Sequence, residues 1–498
     1  MSCLMKTDPR RFCGYLAEPF QTGGRMDRLL VALFCAMHLV MLFNAFMHFP
    51  RINYDGGAHL KYVMVLSEGR LPEQGEGEFF SPPLPYALPA LVHALGKTAG
   101  LPELHAVGIA GKVYQMQNWV CSLLLAFFLL KLAKDTWPDS RVPRRASLAI
   151  LAMLPVYYKS FAFCRGEPML ATMIMISVYF AVHLFVRGRF HRRDVVGLML
   201  TVAAATLSRQ WGVFIYPAVG LYILVSLYWE RTHRIHRLGY AMLIAAIAIP
   251  IGGSFYFSLQ YRYGQMSAFN REASERFSFR NQPPEFYVGL GGGDFFRRPL
   301  AGSYANQMIP VFYTEFWGDY WGYWIFMGRD TRDTPDYYYQ GPKVATAIME
   351  ASNRRPPWLE TNHARVMPYM GRVNLVSLFP TVVLLAAVAM GVAALFRFAA
   401  GNLDLEVRIR SLLVLVVLCT LAGYFWFLVR FPNPGKGDTI KAVYVLQIFP
   451  LMAILAGAML AALHRRHAIL FWVVSGLLAA TFIHNLPLLI TRYPYLPV

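Results

Sequence analysis

Long apolar runs are the feature that most constrains the fold of this chain. Runs of about 18 to 25 apolar residues recur along the whole sequence, and this is the length that a helix needs to cross the hydrocarbon core of a bilayer. In lipid the polar groups of the backbone must find partners within the segment itself, and a helix provides them. The mean hydropathy of +0.39 is also typical of a membrane protein. The sequence therefore predicts an all-α polytopic membrane protein.

The predicted topology has about eleven transmembrane helices, and every loop assigned to the cytoplasmic side carries Arg or Lys, as the positive-inside rule requires. Under that rule the basic N-terminal tail lies in the cytoplasm and the loop after the first span lies outside. The predicted spans are Leu29–Phe49, Val107–Leu130, Ala146–Tyr158, Met169–Val186, two that flank Ser208–Gly212, Tyr240–Phe257, Val373–Phe396, Ser411–Val429, Ala442–Leu463 and a last one before the C-terminal residues.

These spans divide the chain into four predicted segments. Residues 1–28 form a cytoplasmic tail, and residues 29–258 form a membrane module of about seven spans that includes an outer loop at 50–105. Residues 259–372 are polar and rich in Gly, Pro and aromatic residues, which predicts a small external domain. Residues 373–498 form a second membrane module of about four spans.

Charge and cysteine content exclude several classes of protein. The net charge is +19, but the basic residues fall mostly in short loops between the apolar runs, where they set the topology and meet anionic lipid. The sequence has no zinc-finger spacing and no basic amphipathic helix, so nucleic acid is not a predicted partner. The six cysteines are scattered without a CxxC pair, so neither a disulfide framework nor a structural metal is predicted.

The loop from Asn53 to Tyr86 is the most informative segment of the sequence. Asp55 stands within a few residues of the point where the first helix must leave the bilayer. A carboxylate at the membrane surface suggests chemistry on a lipid-borne molecule, although Asp55 could instead be a helix N-cap or a solvated loop acid. The other acids of the loop, interpreted as solvated charges, are Glu68, Glu73, Glu76 and Glu78.

Other predicted outer segments also carry charged residues. Arg165-Gly166-Glu167-Pro168 precedes the fourth span, and Arg209 lies in the turn Ser208–Gly212. Basic residues on the outer side run against the usual charge bias of membrane proteins, which favours a phosphate-binding role for them. The basic residues near the start of the tenth span are Arg430, Lys436 and Lys441.

In their order along the chain, these motifs resemble those of the GT-C glycosyltransferases. The first outer loop of bacterial members has an acid, then H-x-x-Y, then a P-P-L-x-Y turn, and Asp55, His59, Tyr62 and Tyr86 match these positions. Gly56 stands where many members have a second acid. Protein O-mannosyltransferases and lipid A aminoarabinose transferases belong to this superfamily.

Three more segments carry the resemblance over most of the chain. Arg165–Pro168 is similar to the second acidic motif of the family, and Ser208–Gly212 is similar to its S-K-Q-x-G turn. Gly437–Pro450 is similar to a late motif, K-A-x-Y-x-L-x-x-x-P, and contains Tyr444. The GT-C architecture of about eleven spans with large first and fourth outer loops is also what the apolar runs predict.

The resemblance implies transfer of one sugar from a polyprenyl-phosphate donor to a glycan, lipid or protein acceptor on the outer face. Phosphate is already a good leaving group, so such a transfer needs a carboxylate to accept the acceptor proton and cations to hold the phosphate charge. Direct displacement by the acceptor inverts the anomeric centre. The predicted catalytic carboxylates are Asp55 and Glu167. The predicted donor-phosphate residues are Arg165, Arg209, Arg430, Lys436 and Lys441, and the predicted substrate contacts are His59, Lys61, Tyr62, Tyr86 and Tyr444.

Two questions stay open at the level of the sequence. The sequence indicates no cofactor with certainty, but Asp55 and Glu167 could hold Mg²⁺ or Mn²⁺ through oxygen ligands. A transporter or flippase of lipid-linked sugars is the alternative function, although such proteins usually place charges within helices that line a cavity. A receptor or scaffold would leave the motif order unexplained. The style of the motifs predicts a bacterial inner membrane protein with its site facing the periplasm.

Overall fold

The structure is a computed structural model of the 498-residue chain. It describes residues 17–22, 25–26, 28–51, 55–230, 232, 234–266, 273–297, 304, 306–318, 363–433 and 439–491, with the side chains of 21–26 and 363–368 excepted. Most of the external segment predicted at 259–372, including 319–362, therefore lies outside the described residues.

The described part of the chain is almost entirely helical. A two-residue hairpin, β1 (Gln21–Thr22) paired antiparallel with β2 (Arg25–Met26), precedes the first long helix. The helices in chain order are α1 (Arg28–Met47), α2 (Gly56–Ser67), α3 (Ala87–Thr98), α4 (Glu103–Thr136), α5 (Val142–Ala152), α6 (Pro155–Ala162), α7 (Glu167–Ala181), α8 (Arg192–Ser208), α9 (Ile215–Trp229), α10 (Arg234–Tyr263), α11 (Pro284–Val288), α12 (Asp294–Arg297), α13 (Met308–Trp317), α14 (His363–Val376), α15 (Leu378–Ala399), α16 (Leu405–Arg430), α17 (Ile448–Arg466) and α18 (Ala468–Asn485). Short 3₁₀ helices cover Glu18–Phe20, Leu84–Tyr86, Gln210–Phe214, Phe279–Asn281, Ala442–Val445 and Leu486–Leu489.

The predicted all-α membrane fold is confirmed, but the count of eleven spans is not. Nine helices in the described ranges are long and apolar enough to cross a membrane. The third predicted span is two short helices, α5 and α6, because Pro155 cannot continue a helix and keeps Leu154 extended (φ −85°, ψ 108°). The fifth, α8, has 17 residues and is not among the nine.

Two short helices, α2 and α3, occupy the loop between the first two spans. α2 buries His59 and Tyr62 against the rest of the protein. α3 exposes Leu88, Leu91 and Leu95, a spacing that places the three leucines on one face of the helix. An amphipathic helix of this kind fits the interface between membrane and water. The loop is therefore a folded layer over the helix bundle.

The helix α7 is the most deeply buried of the nine candidate spans in the described chain. Pro168 lies in its first turn, where its missing N–H removes no helical hydrogen bond. The helix continues into a turn of π-helix, Val182–Val186, at its other end. The site described next surrounds Glu167, the first residue of α7.

Candidate active site at one end of the helix bundle

Four segments that are far apart in the sequence meet near the first residue of α7. Asp55 precedes α2, Glu167 opens α7, and Arg209 lies between α8 and the 3₁₀ helix Gln210–Phe214. Lys441 precedes the 3₁₀ helix Ala442–Val445. Each of these residues stands at the end of a helix, where the backbone is irregular and side chains can be aimed at one another.

Asp55 is held in an unusual backbone conformation. Its φ of 61° and ψ of 16° lie in the left-handed region, which aspartate tolerates better than most residues. Such conformations cost on the order of 1–3 kcal/mol and cluster at functional sites. Asp55 stands at the N-cap position of α2, but its side chain makes no capping hydrogen bond. The alternative of a simple helix cap is therefore wrong.

The Asp55 carboxylate pairs instead with Lys441, which is 386 residues away in the sequence. Lys441 Nζ donates a hydrogen bond of 2.9 Å to Asp55 Oδ2. The Lys441 side chain is only 9% exposed, whereas the Asp55 side chain is 40% exposed. The carboxylate is therefore the accessible partner of this ion pair.

Both members of this pair are charged near neutral pH. Burial works against the charged form of Asp55, but attraction to Lys441 and Arg165 outweighs it and lowers the pKa of the carboxyl below its usual value. Burial also opposes the ammonium, and Asp55 reverses this effect, so the pKa of Lys441 is raised. Because the Asp55 side chain is partly exposed, solvent screens part of this attraction.

Glu167 is clamped between two arginines. Arg165 donates to both of its carboxylate oxygens, from Nε and Nη2, each at 3.1 Å. Arg209 donates from Nε at 3.0 Å and from Nη2 at 2.7 Å to Oε1. The side chains of Arg165 and Glu167 are fully buried, and that of Arg209 is 5% exposed. Glu167 therefore sits in a closed ionic network.

The Arg165-Gly166-Glu167 motif needs a glycine at its centre because a side chain there would clash with the Arg209 turn. A Cβ on Gly166 would lie 2.8 Å from the backbone oxygen of Ser208 and 3.2 Å from Arg209 Cδ. Contacts under 3 Å to backbone require the chain to shift, so any larger residue would separate the two loops. The motif therefore lets the Arg209 turn approach Glu167.

Glu78 corrects one interpretation of the sequence. It was interpreted as a solvated loop acid, but it is buried, and its carboxylate lies 3.4 Å from Arg209 Nη1. Ser81 accepts from the same nitrogen and donates to Glu78. Burial raises the pKa of Glu78 above its usual value. The chain after Glu76 folds back onto the protein and buries Glu78. The hydrophobicity of the loop sequence does not predict this burial.

His59, Tyr62 and Tyr86 form a buried group next to the ionic network. His59 Nδ1 and Tyr86 Oη are hydrogen-bonded at 2.7 Å, and the Tyr62 and Tyr86 rings stack with centroids 4.0 Å apart. Burial, together with Arg165 and Arg209, lowers the pKa of His59 well below its usual value, so the ring is neutral. His59 Nε2 is buried and has no hydrogen-bond partner among the described residues.

Tyr444 brings the two ion pairs together. The Arg165 guanidinium lies 5.7 Å from the centre of the Tyr444 ring, and Lys441 Nζ lies 5.5 Å from it. Contacts of this length between a cation and an aromatic face are attractive. The late K-A-x-Y motif therefore supplies both a cation and the ring that contacts it.

Three of the predicted site residues do not join this group. Lys61 is exposed on α2, while His59 and Tyr62 of the same helix are buried, and Lys61 forms no ion pair with the described residues. Arg430 ends α16 and accepts a backbone hydrogen bond from Ser274, but forms no ion pair within the described ranges. Lys436 lies outside the described residues.

The sequence left open whether Asp55 and Glu167 hold a divalent cation, and their surroundings in the described residues do not form a metal site. The described part of the chain contains no group of three or more His, Cys, Asp or Glu side chains arranged to hold a metal ion. Glu167 is saturated by Arg165 and Arg209, and Asp55 is paired with Lys441. Arginines hold both oxygens of Glu167 and Lys441 holds one oxygen of Asp55, so the two acids do not offer a set of free oxygen ligands, and no step is derived through a metal.

Two residues of this site were missed in the sequence. Tyr424 of α16 and Glu315 of α13 hydrogen-bond to the backbone at Lys441 and Ala442. A signal for Glu315 existed, since it is the one charged residue in the apolar segment MIPVFYTEFW. Tyr424 gave no signal, because aromatic residues are common along these helices.

No protein-family model matches the chain, and no curated protein matches it. Several solved structures are similar to it at low identity. One is the oligosaccharyltransferase AglB of Archaeoglobus fulgidus in complex with an inhibitory peptide and a dolichol-phosphate, with 12% identity and a TM-score of 0.47. The match covers 94% of this chain and 57% of that one. The chain thus spans little more than half the length of that protein.

ArnT from Cupriavidus metallidurans is a second similar structure. The form from Cupriavidus metallidurans bound to undecaprenyl phosphate matches 87% of this chain and 79% of its own, with 14% identity and a TM-score of 0.36. A further structure of the Archaeoglobus oligosaccharyltransferase, in complex with Zn and sulfate, has a TM-score of 0.49. At these TM-scores the similarities support no argument about function. The functional argument is based on the geometry of the site.

Proposed function

We propose that this protein is a membrane glycosyltransferase that moves one sugar from a polyprenyl-phosphate donor to an acceptor, with inversion. The observation that carries the proposal is the Asp55–Lys441 pair, a partly exposed carboxylate 2.9 Å from a buried ammonium. This pair supplies a base and a phosphate-binding cation side by side, as the transfer requires. The resemblance of the motifs to the GT-C glycosyltransferases agrees with this chemistry.

In the proposed reaction, an acceptor oxygen attacks the anomeric carbon and its proton passes to Asp55. The bond between that carbon and the phosphate oxygen breaks, and its electron pair stays on the phosphate. Polyprenyl phosphate leaves with one more negative charge than it carried in the donor. Lys441 is the cation best placed to stabilise that charge, because it is beside the base and not part of the closed arginine network.

Donor binding would also strengthen the base. While Lys441 is paired with Asp55, it holds the pKa of the carboxyl low, which makes Asp55 a poor proton acceptor. A donor phosphate that attracts the ammonium weakens this pairing and lets the pKa rise towards its usual value. Asp55 would thus become an effective base only when the donor is present.

We propose a role for Glu167 that differs from the predicted catalytic one. Its oxygens accept four hydrogen bonds from Arg165 and Arg209, so it is not free to accept a proton from an acceptor. We assign it the task of holding both guanidinium groups in place. The arginines are themselves buried, so they would act on the donor phosphate through their charge and would not touch it in this conformation.

The proposed location is the bacterial inner membrane, with this site on the periplasmic face. The positive-inside rule puts Gly75 outside and Asp139 inside. Single cysteines at these positions, in a background without the native ones, should be labelled by an impermeant thiol reagent at position 75 only. Labelling at position 139 alone would place the site on the cytoplasmic side.

A reconstituted assay tests the activity itself. Purified protein in vesicles is given undecaprenyl-phosphate-linked sugars, radiolabelled in the sugar, with an envelope extract as the source of acceptors. We expect release of undecaprenyl phosphate together with label in the acceptor fraction. A flippase would move the lipid-linked sugar between leaflets and leave the sugar–phosphate bond intact. That outcome would replace the proposal with the alternative function.

A further inference from the structure

The backbone around Lys441 is held by residues from two other segments. Lys441 N–H donates to Tyr424 Oη at 2.7 Å, and the carbonyl of Lys441 accepts from Tyr444 N–H at 3.2 Å. Ala442 N–H donates to the Glu315 carboxylate. Both polar backbone groups of Lys441 and the next N–H are therefore fixed, and this fixed backbone sets the point from which the side chain reaches Asp55 and the Tyr444 ring.

Glu315 is the unusual member of this arrangement. It lies in α13 (Met308–Trp317), within the segment predicted to form the external domain, and its side chain is completely buried. Burying a carboxylate is costly unless hydrogen bonds and charge compensate for it. Here it accepts the N–H at the start of the 3₁₀ helix Ala442–Val445, where the backbone has unsatisfied donors.

We propose that Glu315 is a positioning residue, which fixes the backbone at Lys441 so that its ammonium meets Asp55. The external segment would thereby control the geometry of the catalytic pair through one buried hydrogen bond. This inference rests on the proposed function, in which Lys441 both holds the donor phosphate and sets the basicity of Asp55. Tyr424 acts on the same backbone from α16.

The alternative is that Glu315 only stabilises the fold, and the two roles have different consequences. If Glu315 positions Lys441, its loss lets the ammonium move from Asp55 and removes the influence that lowers the pKa of the carboxyl. Activity then fails at a higher pH on the acid side, because the base becomes protonated earlier. A purely structural role would lower the melting temperature without moving this limb of the pH profile.

The experiment compares Glu315→Ala with Glu315→Gln in the reconstituted sugar-transfer assay, over a range of pH. Removing the acceptor atom in Glu315→Ala should lower kcat/KM about tenfold and move the acid limb to higher pH. Glu315→Gln keeps an oxygen that accepts the Ala442 N–H and should recover most of the loss. Glu230→Gln, at a partly buried carboxylate near the opposite end of α7, is the control and should leave the limb unmoved.

A second readout does not depend on activity. Mass spectrometry can follow the rate at which an impermeant amine-reactive reagent acylates Lys441. This rate should rise in Glu315→Ala, because an amine released from Asp55 loses its proton more readily. Should Glu315→Ala not fold, Tyr424→Phe removes the other acceptor and takes its place. An inactive parent protein would refute the proposed function. An active parent whose variants show an unmoved acid limb and unchanged Lys441 acylation would refute the positioning role alone.

Discussion

Groups of charged residues, buried at one end and partly buried at the other, lie at the two ends of α7 and are built differently. At the end that carries His183, Arg408 Nη2 lies 2.8 Å from Glu230, which also pairs with Arg237. His183 Nε2 lies 3.2 Å from Asp135. All of these residues belong to helices or to the turn that ends α7, except Glu230, which directly follows α9. This group joins helix to helix.

The group at the Glu167 end joins loops, and one of its members is strained and open. Asp55 has a positive φ, its side chain is 40% exposed, and its partner Lys441 is 386 residues away in the sequence. Glu167, by contrast, is fully buried with both oxygens held by arginines, and it is even more closed than Glu230 at the opposite end, which is 12% exposed. The comparison shows that burial of a charged residue does not by itself identify a candidate catalytic residue. The distinguishing feature is an accessible carboxylate whose conformation the fold has to impose.

The largest effect is expected for Asp55→Asn, because asparagine keeps the size and polarity of the side chain but cannot accept the proton. Loss of a general base typically costs about 10² to 10⁴ in rate. The variant should melt near the temperature of the parent and still bind the donor, as measured by thermal unfolding and by binding of labelled undecaprenyl-phosphate sugar.

The control for this variant is Glu167→Gln, at the other carboxylate that the sequence predicted as catalytic. Near-parental turnover of Asp55→Asn, together with complete loss in Glu167→Gln at parental stability, would move the base to Glu167. The contrast drawn between an open and a closed carboxylate would then be wrong.

Glu167→Gln should act mainly on stability. Breaking a buried ion pair by removing one partner typically destabilises by about 3–5 kcal/mol, since the remaining charge is left uncompensated. Glu230→Gln should also lower the free energy of unfolding, but turnover per folded molecule should fall only for Glu167→Gln, whose arginines face the catalytic pair. Denaturant unfolding in detergent and active-site-normalised kinetics measure the two effects. Equal kinetic losses at both ends would erase the difference between them.

Lys441→Met should weaken donor use by about 1.5–3 kcal/mol, the usual value of a hydrogen bond to a charged group. It should also move the acid limb of kcat/KM to higher pH, because Lys441 lowers the pKa of Asp55 and its removal lets that pKa rise. Lys61→Met, on an exposed lysine of the same outer layer, is the matched control and should change neither quantity. If Lys61→Met changed donor use and the acid limb as much as Lys441→Met, a specific role for Lys441 in donor binding would be wrong.

The smallest effect is expected for Glu78→Gln. Burial raises the pKa of this carboxyl, so its charged form is already disfavoured in the folded protein. Glutamine can keep the contacts to Arg209 and Ser81, and the change should cost less than about 1 kcal/mol. With a raised folded pKa, Glu78 contributes stability at low pH that is lost as the pH rises through that value. The variant should therefore flatten the decline of the melting temperature as the pH rises above the usual pKa of a glutamate, which a pH series of thermal unfolding would detect.

The sequence carried more information about the fold than about the site. Apolar runs have the length of a bilayer, so eleven helical segments were located, and the structure has a helix or a helix pair in each. The apolar runs alone did not show that Pro155 divides one of these segments into two helices, each too short to cross the membrane. The motif order also pointed to Asp55, Glu167, Arg209 and Lys441 as one group, which the structure brings together although the site roles stay predictions.

What the sequence determined by itself was which segments enter the membrane and which charged residues stand at their ends, because hydropathy and charge bias are local properties. Only the tertiary structure decided which charges are paired. It closed Glu167 between two arginines, buried Glu78 and left Lys61 in solvent. It also placed Lys441 on Asp55 across 386 residues. The physical reason is that an ion pair depends on distance and burial in space, and neither quantity is written in the order of residues along the chain.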